Sequence, residues 1–277
     1  MSILFLGTSS GAGKTTVCAM MCRYLKRSGI DVAPFKGSNL SLNSIATKDG
    51  GEIGIGQAFQ SWAAGIEPET DMNPCLLKPS GKGVMQLVLN GKPYMDVTKD
   101  QPMDRPMVME EVKKAYDRMN SRHQLILCEG SGSPVELNLM ATDIANTGLM
   151  RATGVPVILI GDIERGGVFA ALYGTWRLIP DDLKPQMKGF IINRFRGDKT
   201  ILKSAIERIE ELTGMKCLGV LRYESLRFPE EDSLSESTGK LEGNDLHKAF
   251  IDNLDEMIDH AEKDGFDFES LKKICGV

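Results

Sequence analysis

Gly7-Thr8-Ser9-Ser10-Gly11-Ala12-Gly13-Lys14-Thr15-Thr16 is the stretch from which the rest of the chain is read. The apolar residues 3–6 precede it and a helical pattern over residues 15–28 follows. The loop therefore joins a strand to a helix, the context that separates a phosphate loop from a glycine-rich turn. Its glycines let backbone N–H groups face phosphate oxygens, and the helix N-terminus adds partial positive charge. In this pattern Lys14 reaches the β- and γ-phosphates of ATP and Thr15 offers its hydroxyl to Mg²⁺. Gly11, Ala12, Gly13, Lys14, Thr15 and Thr16 are the expected nucleotide-binding residues. Five residues, where the pattern has four, separate Gly7 from Gly13, so Thr8 stands at the usual first-glycine position.

Outward from the loop, short β-branched runs alternate with amphipathic stretches of helical period. This predicts an α/β fold of the P-loop NTPase type, a parallel sheet with helices on both faces. Strands are expected at residues 3–6, 31–35, 125–128, 155–161, 189–193 and 218–221. Helices are expected at 15–28, 54–64, 107–121, 144–153, 167–178 and 199–213. Residues 85–89, the pair Asn90-Gly91 and Lys92-Pro93-Tyr94 predict a hairpin with a type I′ turn that decorates the sheet edge. Residues 1–229 read as one ATP-dependent domain. Residues 230–245 are acidic, rich in Ser and Gly and aperiodic, and read as a linker. Residues 246–277 read as a helical tail with Leu246, Phe250, Leu254, Met257, Ile258 and Ala261 on one face.

With 277 residues, 42% apolar and 26% charged, the composition is that of an ordinary soluble protein. No apolar run approaches the roughly 20 residues of a membrane-spanning helix. The N-terminus lacks a positively charged start and reads as a strand rather than a signal peptide. Six cysteines without a C-x-x-C pair point to reduced thiols in a cytoplasmic protein. A net charge of −5 without an offsetting Lys/Arg cluster argues against nucleic acid as a partner.

In an open parallel sheet, ligands sit beyond the C-terminal strand ends. Lys36, Glu129, Asp162 and Asn193-Arg194 each follow a predicted strand, so one rim gathers charged and amide groups. Any one of these loops alone reads equally well as a solvated helix cap. Four of them beside a phosphate loop make a catalytic face. Glu129 stands where a Walker-B acid would, and Asp49 is a second candidate oxygen ligand. The metal set expected for Mg²⁺ is thus Thr15, Asp49 and Glu129. Residues 37–44, Gly-Ser-Asn-Leu-Ser-Leu-Asn-Ser, read as a binding loop, with Asn39 and Asn43 as its amides.

The pieces Ala33-Pro34-Phe35-Lys36, Leu42-Asn43-Ser44, Asp49-Gly50-Gly51-Glu52-Ile53-Gly54, Asp71-Met72-Asn73-Pro74 and Leu76-Leu77-Lys78-Pro79 resemble cobyric acid synthases. So do Glu129-Gly130-Ser131-Gly132-Ser133-Pro134, Asp143-Ile144-Ala145-Asn146, Asp162-Ile163-Glu164-Arg165-Gly166-Gly167-Val168-Phe169 and Ile192-Asn193-Arg194-Phe195-Arg196-Gly197-Asp198. The resemblance runs from residue 3 to about residue 223. It extends to dethiobiotin synthetase and cobyrinic acid a,c-diamide synthase. It implies a ligase that phosphorylates corrinoid side-chain carboxylates with ATP and lets ammonia displace the phosphate. Cobyric acid synthases amidate four peripheral carboxylates of adenosylcobyrinic acid a,c-diamide. By position the resemblance assigns Lys14, Thr15, Asp49 and Glu129 to phosphate and Mg²⁺, Asn193 with Arg194 to the nucleotide, and Lys36 to the acyl phosphate. Lys14, Lys36, Asp49, Glu129 and Asp162 are the expected catalytic residues. Asn39, Asn43, Ser131, Asp143 and Asn146 are the expected substrate contacts. A homodimer is expected from the resemblance alone.

The family pattern also has a glutaminase with a nucleophilic Cys and a His, and no G-x-C-x-G elbow occurs in these 277 residues. Either these residues are cut from a longer protein, or ammonia is expected free or from a separate glutaminase; residues 246–274 would be an interdomain helix or a docking helix for a glutaminase. Two alternatives stay open: a synthetase for another tetrapyrrole or small carboxylate, and a nucleotide-dependent switch. Partition and septum-placement ATPases carry an early lysine where this loop has Ser9, which weighs against the switch.

Overall fold

Aliphatic runs with no polar alternation call for strands buried on both faces. In the computed structural model, which describes residues 1–81, 83–224 and 246–277, they form a six-stranded parallel sheet. Its strands are β1 (Ser2–Gly7), β2 (Val32–Phe35), β9 (Leu125–Glu129), β10 (Val157–Asp162), β11 (Met187–Phe195) and β12 (Lys216–Arg222). The order across the sheet is β12-β11-β10-β1-β9-β2. The chain leaves β1 for β2, returns to fill the place between them with β9, then crosses to β10 on the other side. β1 is thus the topological switch point, where a crevice opens at the C-terminal ends.

Helices α1 (Lys14–Arg27) and α2 (Ile55–Ala64) cover one face, and α3 (Arg105–Arg122), α4 (Thr147–Thr153), α5 (Val168–Leu178) and α6 (Lys203–Thr213) the other. Two expected helices start late for a visible reason. Asp143 accepts from the backbone N–H groups of Ala145 and Asn146 and from the Thr147 hydroxyl, so α4 waits for a capping turn to close. Asp198 accepts from Thr200 N–H at 2.9 Å and opens a 3₁₀ turn over Lys199–Leu202 before α6.

The expected hairpin forms between β7 (Val84–Leu89) and β8 (Lys92–Val97), with φ of 47° at Asn90 and 75° at Gly91 as a type I′ turn requires. It does not decorate the main sheet. With β3 (Ser38–Leu40) and β6 (Cys75–Gly81) it builds a second sheet in the order β3-β6-β7-β8. Leu87 and Leu89 pack with Met72, Cys75 and Val108, so the apolar side of the hairpin is buried beside α3. A two-stranded ribbon, β4 (Ser44–Ala46) with β5 (Glu52–Gly54), leads into α2.

Residues 246–277 pack against α1 and α2. They form α7 (Leu246–Lys263) and α8 (Phe268–Cys275). Phe250, Leu254, Ile258 and Leu271 share a core with Phe5, Val17, Met21 and Phe59. Arg23 holds Asp255 with two hydrogen bonds of 2.8 and 2.7 Å, and the rings of Tyr24 and Phe268 stack at 3.9 Å. The expected linker, residues 230–245, lies outside the described residues.

Candidate functional site

β1 delivers the phosphate loop to the switch point, and Gly13, at φ 90°, turns it into α1. No larger residue fits there. A Cβ on Gly13 would lie 2.1 Å from Asn193 Nδ2, which itself donates to the Ala12 carbonyl at 3.0 Å. Lys14 Nζ donates to the Ser9 carbonyl (3.0 Å) and to the Gly132 carbonyl (2.9 Å), so the ammonium is held between two glycine loops.

Glu129, at the end of β9, is fully buried. Its Oε1 accepts from Thr15 Oγ1 at 2.8 Å and from Lys36 Nζ at 3.0 Å. Its Oε2 accepts from Gln60 Nε2 at 2.5 Å and from Gln57 Nε2 at 3.5 Å. Lys36 is itself 4% exposed, so this is an ion pair withdrawn from water. Burial pushes the neighbouring Cys18 thiol well above its ordinary value, and the Glu129 charge adds to the effect.

Three of the expected rim residues meet in one network. Arg194 adopts a left-handed backbone (φ 63°), rare for a side-chain-bearing residue. Its Nη1 donates to Asp162 Oδ2 and to the Gly11 carbonyl, both at 2.9 Å, while its N–H donates to Asn193 Oδ1. Asn193, Arg194 and Asp162 thus clamp the outer side of the phosphate loop.

Other expected residues are spent differently. Asp49 does not join Thr15 and Glu129: its Oδ2 accepts from Thr70 N–H (3.3 Å) and Thr70 Oγ1 (2.8 Å), and it is not among the described residues lining the cleft. Partial burial acts to raise its carboxyl, but hydrogen bonds from the Thr47 side chain, then from the Thr70 hydroxyl and N–H, outweigh it and hold the carboxyl below the usual value. Asp143 ties the turn that leads into α4. Asn146 exchanges two bonds with Ser131, accepting from its N–H at 3.0 Å and donating to its carbonyl at 2.8 Å. Both therefore shape the Ser131 loop by internal bonds, although both line the cleft. Asn43 is also absent from the described lining residues; its backbone carbonyl accepts from Ile55 N–H at 3.1 Å, at the start of α2. Asn39 and Ser131 do line the cleft.

Sequence reasoning passed over Gln57 and Gln60. Both are fully buried on α2, one turn apart, amid Ala58, Phe59 and Ala63. Two glutamines at i and i+3 in an otherwise apolar helical run were the available signal, since buried polar side chains are the informative exception.

The cleft has a volume of about 1240 Å³. Phosphate-loop residues, Glu129 and Lys36 make its charged centre. Leu40, Leu77, Met85 and Val97 of the second sheet make an apolar wall, and Leu221, Tyr223 and Met257 line it on the β12 and α7 side. Among the described residues no three His, Cys, Asp or Glu side chains form a metal cluster. Thr15 and Glu129 nonetheless present hard oxygens side by side, the donor chemistry that Mg²⁺ takes with phosphate and water completing its shell.

Residues 3–234 match the family described as CobQ/CobB/MinD/ParA nucleotide binding domain (CbiA). A protein of Methanoculleus marisnigri named probable cobyric acid synthase is 50% identical over 236 residues, covering 85% of this chain and 48% of that protein. Its namesake in Methanosarcina mazei is 53% identical over 235 residues, covering 84% and 48%. That of Archaeoglobus fulgidus is 47% identical over 236 residues, covering 84% and 51%. The chain spans about half the length of the curated relatives it matches. Among solved structures, the MinC:MinD cell division protein complex of Aquifex aeolicus is similar at a TM-score of 0.47 with 14% identity, covering 95% of this chain and 94% of that one.

Proposed function

The chain belongs to the CobQ/CobB/MinD/ParA nucleotide binding domain family, and from that premise we propose that it is the ATP-dependent synthetase part of a cobyric acid synthase. The proposed reaction has two steps. A corrinoid side-chain carboxylate oxygen attacks the γ-phosphorus of ATP, releasing ADP and leaving an acyl phosphate. Ammonia then attacks the acyl carbon, expels phosphate and, after losing a proton, leaves the amide.

The observation that carries this reading is the meeting of Lys14, Thr15, Glu129 and Lys36 at one rim, in a chain about half identical to proteins named probable cobyric acid synthase. Phosphoryl transfer needs alignment and positive charge more than covalent help. Lys14 supplies charge to the transferred group from within the loop. Lys36, which follows β2 and shares Glu129 Oε1 with Thr15, would stabilise the acyl phosphate as negative charge moves onto it. Thr15 and Glu129 would hold Mg²⁺, which when bound draws charge from the phosphates. The apolar wall of the second sheet suits the hydrocarbon face of a macrocycle, while the polar centre receives its carboxylate. Asn193 and Arg194 brace the loop that grips the nucleotide, and Asn193 also lines the cleft where the base would lie.

Ammonia arrives free or from a separate glutaminase, and the working form is a homodimer in this reading. The test is incubation with ATP, Mg²⁺, ammonium and a corrinoid polycarboxylate, followed by mass spectrometry. Replacement of OH by NH₂ on the corrinoid, with matching ADP release, supports it. ATP turnover that ignores the corrinoid and responds to a protein partner contradicts it.

A further inference from the structure

We infer that Gln60, with Gln57 as its lesser partner, is a positioning residue that fixes the Glu129 carboxylate for its metal. This inference rests on the proposed use of Mg²⁺ at Thr15 and Glu129.

Glu129 has two oxygens with different neighbours. Oε1 faces the groups expected to change during the reaction, the Thr15 hydroxyl and the Lys36 ammonium. Oε2 faces two neutral amides that have no charge to lose. Gln60 makes the closer bond, 2.5 Å against 3.5 Å for Gln57. The Nε2 of Gln60 also donates to the Thr15 main-chain carbonyl at 3.3 Å. One amide therefore ties the proposed metal acid to the residue whose hydroxyl shares the metal. Gln57 extends the tie the other way, its Oε1 accepting from Asn39 Nδ2 on the cleft wall at 3.1 Å.

The orientation of Gln60 is fixed by chemistry. Reversing the amide would set its oxygen against a carboxylate. In the orientation seen, Gln60 Oε1 is buried and has no hydrogen-bond partner among the described residues. A half-satisfied amide at a fully buried position is a cost that an apolar side chain would avoid. An amide needed for stability alone would satisfy both ends. The donor end is what the site uses, because a carboxylate with one oxygen pinned can present only the other to a metal. Partners of this outer kind typically govern metal affinity by ~10–100-fold.

The test compares wild type with Gln60→Met, which keeps volume and removes the donor. Isothermal titration calorimetry measures binding of a non-hydrolysable ATP analogue with and without Mg²⁺. The ratio of the two affinities isolates the metal's contribution by linkage. In Gln60→Met the ratio should fall about tenfold while the metal-free affinity stays close to wild type. In Gln57→Met it should fall about twofold, the scale of one weak hydrogen bond. That second variant decides the matter if Gln60→Met does not fold. An unchanged ratio in the folded variants overturns the inference, and so does a parallel loss of metal-free affinity with the ratio kept. Wild type whose nucleotide affinity ignores Mg²⁺ overturns both the inference and the metal reading beneath it.

Discussion

Replacing Lys36 with Met removes the only ammonium bonded to Glu129 among the described hydrogen bonds while keeping the length of the side chain. The pair is 3.0 Å long, with side chains 5% and 1% exposed, so water cannot replace the lost partner. Breaking a buried pair of this kind by removing one side costs about 3–5 kcal/mol. Thr15, Gln57 and Gln60 still donate to Glu129, which places the expected loss at the lower end, ~3 kcal/mol. For a chain of this size that lowers Tm by roughly 6–12 °C. The double variant Lys36→Met/Glu129→Gln leaves neither charge behind, so it should melt higher than the sum of the two single losses predicts. Thermal unfolding followed by circular dichroism reads all four proteins. A Lys36→Met variant that melts within about 2 °C of wild type, or a double variant equal to the sum, refutes the claim that these two charges depend on each other.

Three further outcomes follow from particular contacts. Gly13→Ala forces an alanine into a left-handed backbone, at roughly 1–2 kcal/mol, and drives its methyl against Asn193, so calorimetry should show at least about tenfold weaker binding of an ATP analogue. Phe250→Ala should destabilise the protein by about 3–5 kcal/mol in denaturant melts because Phe250 is 0% exposed; a tail that merely trails from the domain would give almost nothing. Asp267→Ala removes the cap of α8 and should cost ~1 kcal/mol at neutral pH. The Lys216 ammonium first, then the Ser270 N–H, pull the Asp267 carboxyl down to about 2 when folded, against about 3.9 when unfolded. Its contribution is therefore complete above the unfolded value and lost as pH falls through the folded one, so the gap between wild type and variant should close between about pH 4 and pH 2.

The main sheet was legible because its strands are aliphatic runs bounded by loops, and local composition is enough to find such runs. The phosphate loop was legible because its residues act through backbone geometry that the glycines dictate. The second sheet was not, because the pairing of residues 38–40 with 75–77 is a long-range register that no local pattern encodes. Asp49 looked like an oxygen ligand from its Asp-Gly-Gly setting, yet it caps the turn at Thr70. Asp143 and Asn146 share the ambiguity of every Asp and Asn before a helix, where a ligand and a cap have the same sequence. Phe250, Leu254 and Ile258 announced an amphipathic helix, and only the fold shows α1 and α2 as what covers that face, while Leu246, expected on it, stays exposed. Gln57 and Gln60 went unread because glutamine on a helix usually faces water.

The central claim is that this site activates a carboxylate by phosphorylating it, and the path of one oxygen atom tests it. A corrinoid carboxylate labelled with oxygen-18 is incubated with the protein, ATP, Mg²⁺ and ammonium, and the released phosphate is analysed by mass spectrometry. The account predicts one labelled oxygen in phosphate for each amide formed, because the carboxylate oxygen bridges to phosphorus and leaves with it. Amide formed while phosphate stays unlabelled would contradict it, since the carboxylate would then have been activated by some route other than transfer of the γ-phosphoryl group.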